Sequence, residues 1–133
     1  MSKNLKIVQD YFNAVAIGDF ETVGNLFADD AVWHQPGKGV QSGTYNGKME
    51  LFGHLGNFGK WSDGTFAMDE IKFISENQDL VAVSIHFKAE KDGKSLSMNG
   101  IDLLRIEDDK IKEVWLFSER IDEEDEFWNF ASK

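Results

Sequence analysis

The sequence predicts an α+β fold in which N-terminal helices pack on one face of a curved, mainly antiparallel sheet. Three observations carry this. Apolar residues recur at helical spacing over 5–27. Beyond residue 65 apolar and polar residues alternate, which is the period of strands. Between two such alternating runs stands Asp92-Gly93, a two-residue hairpin signal. Helices followed by a run of strands pack as helices against one side of an antiparallel sheet. A sheet that curls around its helices leaves room for a pocket, the usual place for a small molecule.

The elements follow in chain order. Leu5, Val8, Phe12 and Val15 form a helical stripe that Ile7, Tyr11 and Ala14 widen, and Gly18 ends that helix. Asp19 caps a second helix, with Thr22 at the third position after it and Phe20, Val23, Leu26 and Phe27 as its apolar positions. Asp29-Asp30 closes it. Ala31 to Gln35 reads as a short strand stopped by Pro36-Gly37. A polar, Gly-rich loop runs to Gly47. A third helix fits Lys48 to about Phe58, with Met49, Phe52 and Leu55 on one side and Gly53, Gly56 and Gly59 weakening it. Strands are expected over 65–76, 79–91, 94–107 and 110–121. The acidic run Asp122 to Glu126 then opens a terminal helix.

With 133 residues, one domain spanning 1–133 is the expectation. Hydrophobic content of 41%, with eleven Phe and four Trp, suits a packed core that requires no staple. The chain has no Cys, so disulfide and thiol chemistry are absent. A net charge of -10 argues against nucleic acid and anionic membranes as partners. No apolar run is long enough for a membrane span, and Met1 to Lys6 lacks the apolar stretch of a signal peptide. A cytoplasmic protein is the simplest reading. The acidic runs lack the Asp/Gly pattern of a calcium loop, and no phosphate loop or metal cluster is present, so neither metal nor cofactor is implied.

Asp102 is the most informative residue. On the strand around it, one face carries Leu96, Met98, Gly100, Asp102, Leu104 and Ile106, with Asp102 the only charge. The Asp92-Gly93 turn pairs Lys91 with Lys94, which puts Val83 opposite Asp102, Ile85 opposite Gly100 and Phe87 opposite Met98. Both strands therefore turn Asp102 toward apolar neighbours, where a carboxylate is costly unless paired or protonated. Such a group is either a structural Asp with a buried partner or a working pocket acid, unless a one-residue register slip turns it to water.

Several segments resemble a known superfamily. Ile7 to Tyr11, Gly18-Asp19-Phe20, Leu26 to Val32 and Gln35-Pro36-Gly37 are similar to the opening of ketosteroid isomerases. Val32 to Gly37 and Ser42 to Gly47 resemble the SnoaL-like polyketide cyclase branch, and Ile101 to Ile106 resembles the isomerase strand bearing the acidic oxyanion donor. The superfamily is that of nuclear-transport-factor-2-like proteins. The resemblance implies a cone-shaped α+β roll around an enclosed apolar pocket. It also implies that Tyr11 and Asp102 donate to a developing oxyanion, as a tyrosine and a neutral carboxylic acid do in ketosteroid isomerase, a case long used to illustrate a carboxyl kept protonated by its site. The isomerase base falls on Gln35, an amide that cannot take a proton from carbon. A standard ketosteroid isomerase is therefore not expected.

Adjacent His34 is the candidate base: a regular strand turns it away from Gln35, whereas an irregular end at Pro36-Gly37 brings it to the pocket. Trp33, Gln35, Phe52, Val83, Ile85, Met98 and Val114 are the expected ligand-binding wall. His54 is expected on a helix surface or at the pocket mouth, and His86 on the polar sheet face opposite Asn99.

The last hairpin has two readings. A two-residue turn at Asp108-Asp109 sets Trp115 opposite Asp102; one extra bulged residue sets Val114 there. In the second case Ile101, Leu103, Trp115 and Phe117 form an outer apolar patch, through which a homodimer is expected. Two functions remain open. One is an isomerase, cyclase or lyase acting on a small carbonyl compound; the other is a non-catalytic ligand-binding or association domain.

Overall fold

The computed structural model describes residues 2–133. Its elements run α1 (Lys3–Ile17), α2 (Phe20–Leu26), β1 (Phe27–Gln35), β2 (Gly43–Asn46), α3 (Lys48–Trp61), β3 (Ala67–Asn77), β4 (Leu80–Lys91), β5 (Lys94–Glu107), β6 (Lys110–Ser118) and α4 (Ile121–Ala131). The strands form one open sheet in the order β2-β1-β6-β5-β4-β3. Only the β1–β6 pairing is parallel.

Local chemistry accounts for the helix ends. Ser2 accepts a hydrogen bond from the Leu5 amide and caps α1, and Gly18 closes it in the left-handed conformation. Asp19 caps α2 through the Thr22 amide and hydroxyl. The buried faces of α1 (Ile7, Val8, Tyr11, Phe12, Ala14) and α4 (Phe127, Trp128, Ala131) join the inner face of the sheet in one core.

Four expectations are corrected. α2 ends at Leu26, and the chain enters β1 directly at Phe27, so Asp29-Asp30 lies in an exposed stretch of strand instead of closing a helix. Asp29 pairs there with Lys48 and Asp30 with Lys112. The Gly-rich loop contains β2, which pairs with β1. α3 buries Leu51, His54 and Phe58; Met49 is exposed and Phe52 and Leu55 are half-buried. The final strand ends at Ser118, ahead of α4.

The β4–β5 register is Val83 with Asp102, Ile85 with Gly100 and Phe87 with Met98. The β5–β6 register follows neither sequence reading. The turn is the two-residue one, with Glu107 opposite Lys110 and Ile106 opposite Ile111, but the register then shifts so that Arg105 faces Glu113. Lys112 is the extra residue, a bulge in β6. Asp102 therefore faces Leu116, while Val114 faces Leu104 and Trp115 faces Leu103.

The loop after β1 is clamped to α4. Asp125 accepts from the Lys38 amide and from Gln41 Nε2, both at 2.8 Å, and Asn129 accepts from the Val40 amide. Gly37 has φ +97°, and a Cβ there would fall 2.2 Å from an Asp125 oxygen. The close approach of strand end to helix needs glycine.

Candidate functional site

A cavity of about 400 Å³ lies between the inner sheet face and the helices. Its wall is largely apolar, from Trp33, Phe58, Phe66, Met68, Ile85 and Phe87. Phe20, Gly56, Gly59 and Lys60, exposed lining residues contributed by the helices α2 and α3, mark its mouth. Gly100 belongs to the wall; a Cβ there would meet the Phe117 carbonyl at 2.9 Å and the Phe87 ring at 3.1 Å.

The polar lining residues converge from different elements. Asp102 comes from β5 and is 3% exposed. Its cross-strand neighbours are Val83 and Leu116, so neither side offers it a partner. Burial first, and then the nearby Glu124 charge, raises its pKa to about 7. Tyr11 comes from α1, edge-on to Phe12 and Phe27, and burial together with the Asp102 charge raises its pKa steeply. Among the described residues no hydrogen bond contributes to either shift. Tyr11 is neutral at pH 7, and Asp102 is protonated below its pKa of about 7, so below neutrality both are donors lining the cavity.

Gln35 comes from the end of β1. Its side-chain oxygen accepts from Trp33 Nε1 and from His54 Nε2, each at 2.9 Å. An indole N–H only donates, so the amide orientation is settled and its NH₂ is left for the cavity that Gln35 lines. The same bonds settle the His54 tautomer: Nε2 carries the hydrogen, and Nδ1 has no partner among the described residues. His54 is stacked on Tyr45 at 3.8 Å and edge-on to Phe58, and burial lowers its pKa to about 4. It is thus a buried positioning group for Gln35, not the surface or mouth residue expected.

Glu124, from the first turn of α4, completes the polar set. It is 3% exposed. Its carboxylate accepts from the Ser118 hydroxyl at 2.5 Å and from Trp128 Nε1 at 3.2 Å. Sequence reading missed it, because it stands inside an acidic run that otherwise reads as a solvated helix start. The available signal was Trp128 four residues on, which puts an indole donor on the same helix face.

Other expected site residues lie elsewhere. His34 faces the outer side of the sheet, bonded to Glu113 Oε2 at 2.6 Å and stacked on Trp115 at 5.5 Å. After the irregularity between Phe27 and Val32, β1 is regular from Val32 to Gln35, so the alternation that sends Gln35 inward sends His34 outward. Val83, Met98 and Val114 are core residues closed over by their neighbours, not cavity wall, and Phe52 packs edge-on to Phe27 and against Gly24. Trp33, Gln35 and Ile85 do line the cavity. His86, on the polar face, bonds Asp69 and Ser97. Among the described residues no group of three or more His, Cys, Asp or Glu is placed to hold a metal ion, and no helix is long and apolar enough to cross a membrane.

The site has relatives. No curated protein matches the chain. Among solved structures, a protein of unknown function with a cystatin-like fold from Xanthomonas campestris is 39% identical, over 94% of this chain and 97% of that one, with a TM-score of 0.90. Bal32a, from a soil-derived mobile gene cassette, is 25% identical over 95% and 96% of the two chains, with a TM-score of 0.91. IdmH, a candidate polyketide cyclase from Streptomyces antibioticus, shares the fold at 21% identity over 89% and 93%, with a TM-score of 0.71. The SnoaL-like domain model matches residues 8–114. This chain belongs to the SnoaL-like domain family.

Proposed function

We propose that this protein takes a small, mostly apolar carbonyl compound into the cavity and holds its oxygen between Tyr11 and Asp102, as an isomerase, cyclase or lyase. The observation that carries this reading is a set of uncommitted polar groups in an apolar cavity: the Tyr11 hydroxyl, the Asp102 carboxyl, protonated below its pKa of about 7, and the Gln35 NH₂. Donors fixed in place before the ligand arrives stabilise charge that develops on an oxygen, because nothing has to reorganise. The cavity volume is in the ordinary range for small-molecule sites, roughly 300–1,000 Å³. The SnoaL-like family and the fold shared with a candidate polyketide cyclase support the same class of ligand.

A second reading, ligand binding without chemistry, is favoured by Gln35. Its oxygen is occupied by two donors and an amide accepts no proton from carbon, so the base of the related isomerases has no counterpart at that position.

The test compares 2-tetralone with tetralin, the same bicycle without the oxygen, by quenching of tryptophan fluorescence. Two made hydrogen bonds at ~0.5–1.5 kcal/mol each predict roughly tenfold tighter binding of the ketone. Tyr11→Phe and Asp102→Leu should each shrink that difference. Equal affinity for ketone and hydrocarbon contradicts the reading.

A further inference from the structure

We infer that Glu124 and Asp102 work as one acid–base pair at the polar end of the cavity, with Glu124 the ionised member that accepts a proton from the ligand and Asp102 the neutral member that donates to the ligand's oxygen. The inference rests on the carbonyl reading above and supplies the base that Gln35 is not.

The two carboxyl groups line the same cavity from different elements, β5 and α4. Their surroundings are unequal. Glu124 accepts from Ser118 on one oxygen and from Trp128 on the other. It also sits in the first turn of α4, where the peptide dipoles favour negative charge. Asp102 has Val83 and Leu116 beside it and no donor. Two carboxyls that share a dry site do not both ionise readily, and the proton stays on the one whose anion is less well solvated. That one is Asp102. The directions agree: burial raises Glu124 but Ser118 and Trp128 hold it back, whereas the Glu124 charge adds to burial in raising Asp102.

The other ionisable groups near the pair keep this order. Tyr11, from α1, stays neutral. Asp125, next on α4, pushes Glu124 upward, toward the range where a base is effective near neutral pH. Lys60, from α3, is exposed at the mouth. Each Glu124 oxygen spends one lone pair on its donor and keeps another, so the carboxylate still accepts a proton.

The step balances without a cofactor. The C–H bond beside the ligand's carbonyl breaks and its proton goes to Glu124. The bonding pair becomes the C=C bond of an enolate, and the carbonyl π pair moves to the oxygen, where Tyr11 and Asp102 donate. Return of a proton from Glu124 to the same carbon restores the ketone; return to a different carbon of a conjugated ligand isomerises it.

The experiment has two arms on the full chain. In the first, without ligand, the carboxyl carbons of Asp102 and Glu124 are titrated by ¹³C NMR. Glu124 should ionise first, and Glu124→Gln should lower the Asp102 midpoint by about one pH unit. The Gln side chain can still accept from Trp128 and donate to Ser118, so that variant is expected to fold. If Asp102 ionises first, or its midpoint does not move in the variant, the pair is overturned. In the second arm, exchange of the α-hydrogens of 2-tetralone in D₂O is followed by ¹H NMR. The protein should accelerate exchange over buffer, and Glu124→Gln should slow it by ~10²–10⁴-fold at a pH below the Asp102 midpoints of both proteins, where Asp102 is protonated in each. Binding without exchange, or equal exchange in the variant, overturns the proton-accepting role and leaves the binding reading standing. Failure of 2-tetralone to bind sinks the binding reading, and the pair is then decided by the order of titration alone.

Discussion

His54 Nε2 donates to the side-chain oxygen of Gln35 across 2.9 Å, joining the middle of α3 to the end of β1 beneath the cavity. Trp33 Nε1 donates to the same oxygen. Gln35→Leu leaves both donors buried and unpaired, at ~1–3 kcal/mol each. The predicted cost is therefore roughly 2–6 kcal/mol in chemical denaturation, whereas Gln35→Glu, which keeps an acceptor in place, should lose less. Equal losses for the two variants would show that the shared oxygen is unimportant.

Burial lowers the His54 pKa from 6.5 to about 4, so the fold favours the neutral ring. The stability this contributes is fully present above pH 6.5 and is lost as pH falls toward 4. Between pH 7 and pH 4 the native protein should lose on the order of 3 kcal/mol more than His54→Phe. Denaturant midpoints for both proteins at pH 7, 5 and 4 check this, and parallel curves would contradict it.

Asp102 works in the opposite sense. Its folded pKa is raised from 3.8 to about 7, so its favourable contribution is complete below pH 3.8 and disappears as pH rises through 7. Asp102→Asn removes the charge that the fold disfavours. It should therefore stabilise the protein at pH 8 by on the order of 2–4 kcal/mol and change little near pH 3. Loss of stability at pH 8 would mean that the carboxylate has a charged or hydrogen-bonded partner.

The bulge at Lys112 places Leu103 opposite Trp115 and Ile101 opposite Phe117 on the outer sheet face, with Ile101 and Phe117 exposed. A homodimer through these pairs is expected. A net charge of -10 opposes self-association, so the dimer should tighten as salt screens it. Sedimentation at micromolar concentration over a salt series reads this directly. A monomer at every salt concentration, or a dimer insensitive to Phe117→Lys, would contradict it.

The parts of the fold written in local chemistry were legible in the sequence. Asp92-Gly93 fixed a turn, the turn fixed a register, and the register turned Asp102 inward. Gly18 and Asp19 marked helix ends in the same way. The bulge at Lys112 was not legible, because it is set by how β6 meets two neighbouring strands, with Lys112 reaching Asp30 on β1. His54 escaped because apolar periodicity counts a histidine as polar, although its ring is enclosed by Tyr45, Phe58 and Trp33. Glu124 escaped for the opposite reason: Asp122 and Glu123 before it are exposed acids, and the return of α4 onto β5 and β6 buries the Glu124 carboxylate of the run.

A crystal structure with 2-tetralone bound tests the oxygen site most directly. The carbonyl oxygen should lie within ~2.6–3.2 Å of both the Tyr11 hydroxyl and an Asp102 carboxyl oxygen, with the α-carbon toward Glu124. A ketone bound the other way round, with its oxygen at the mouth beside Lys60, would contradict the account.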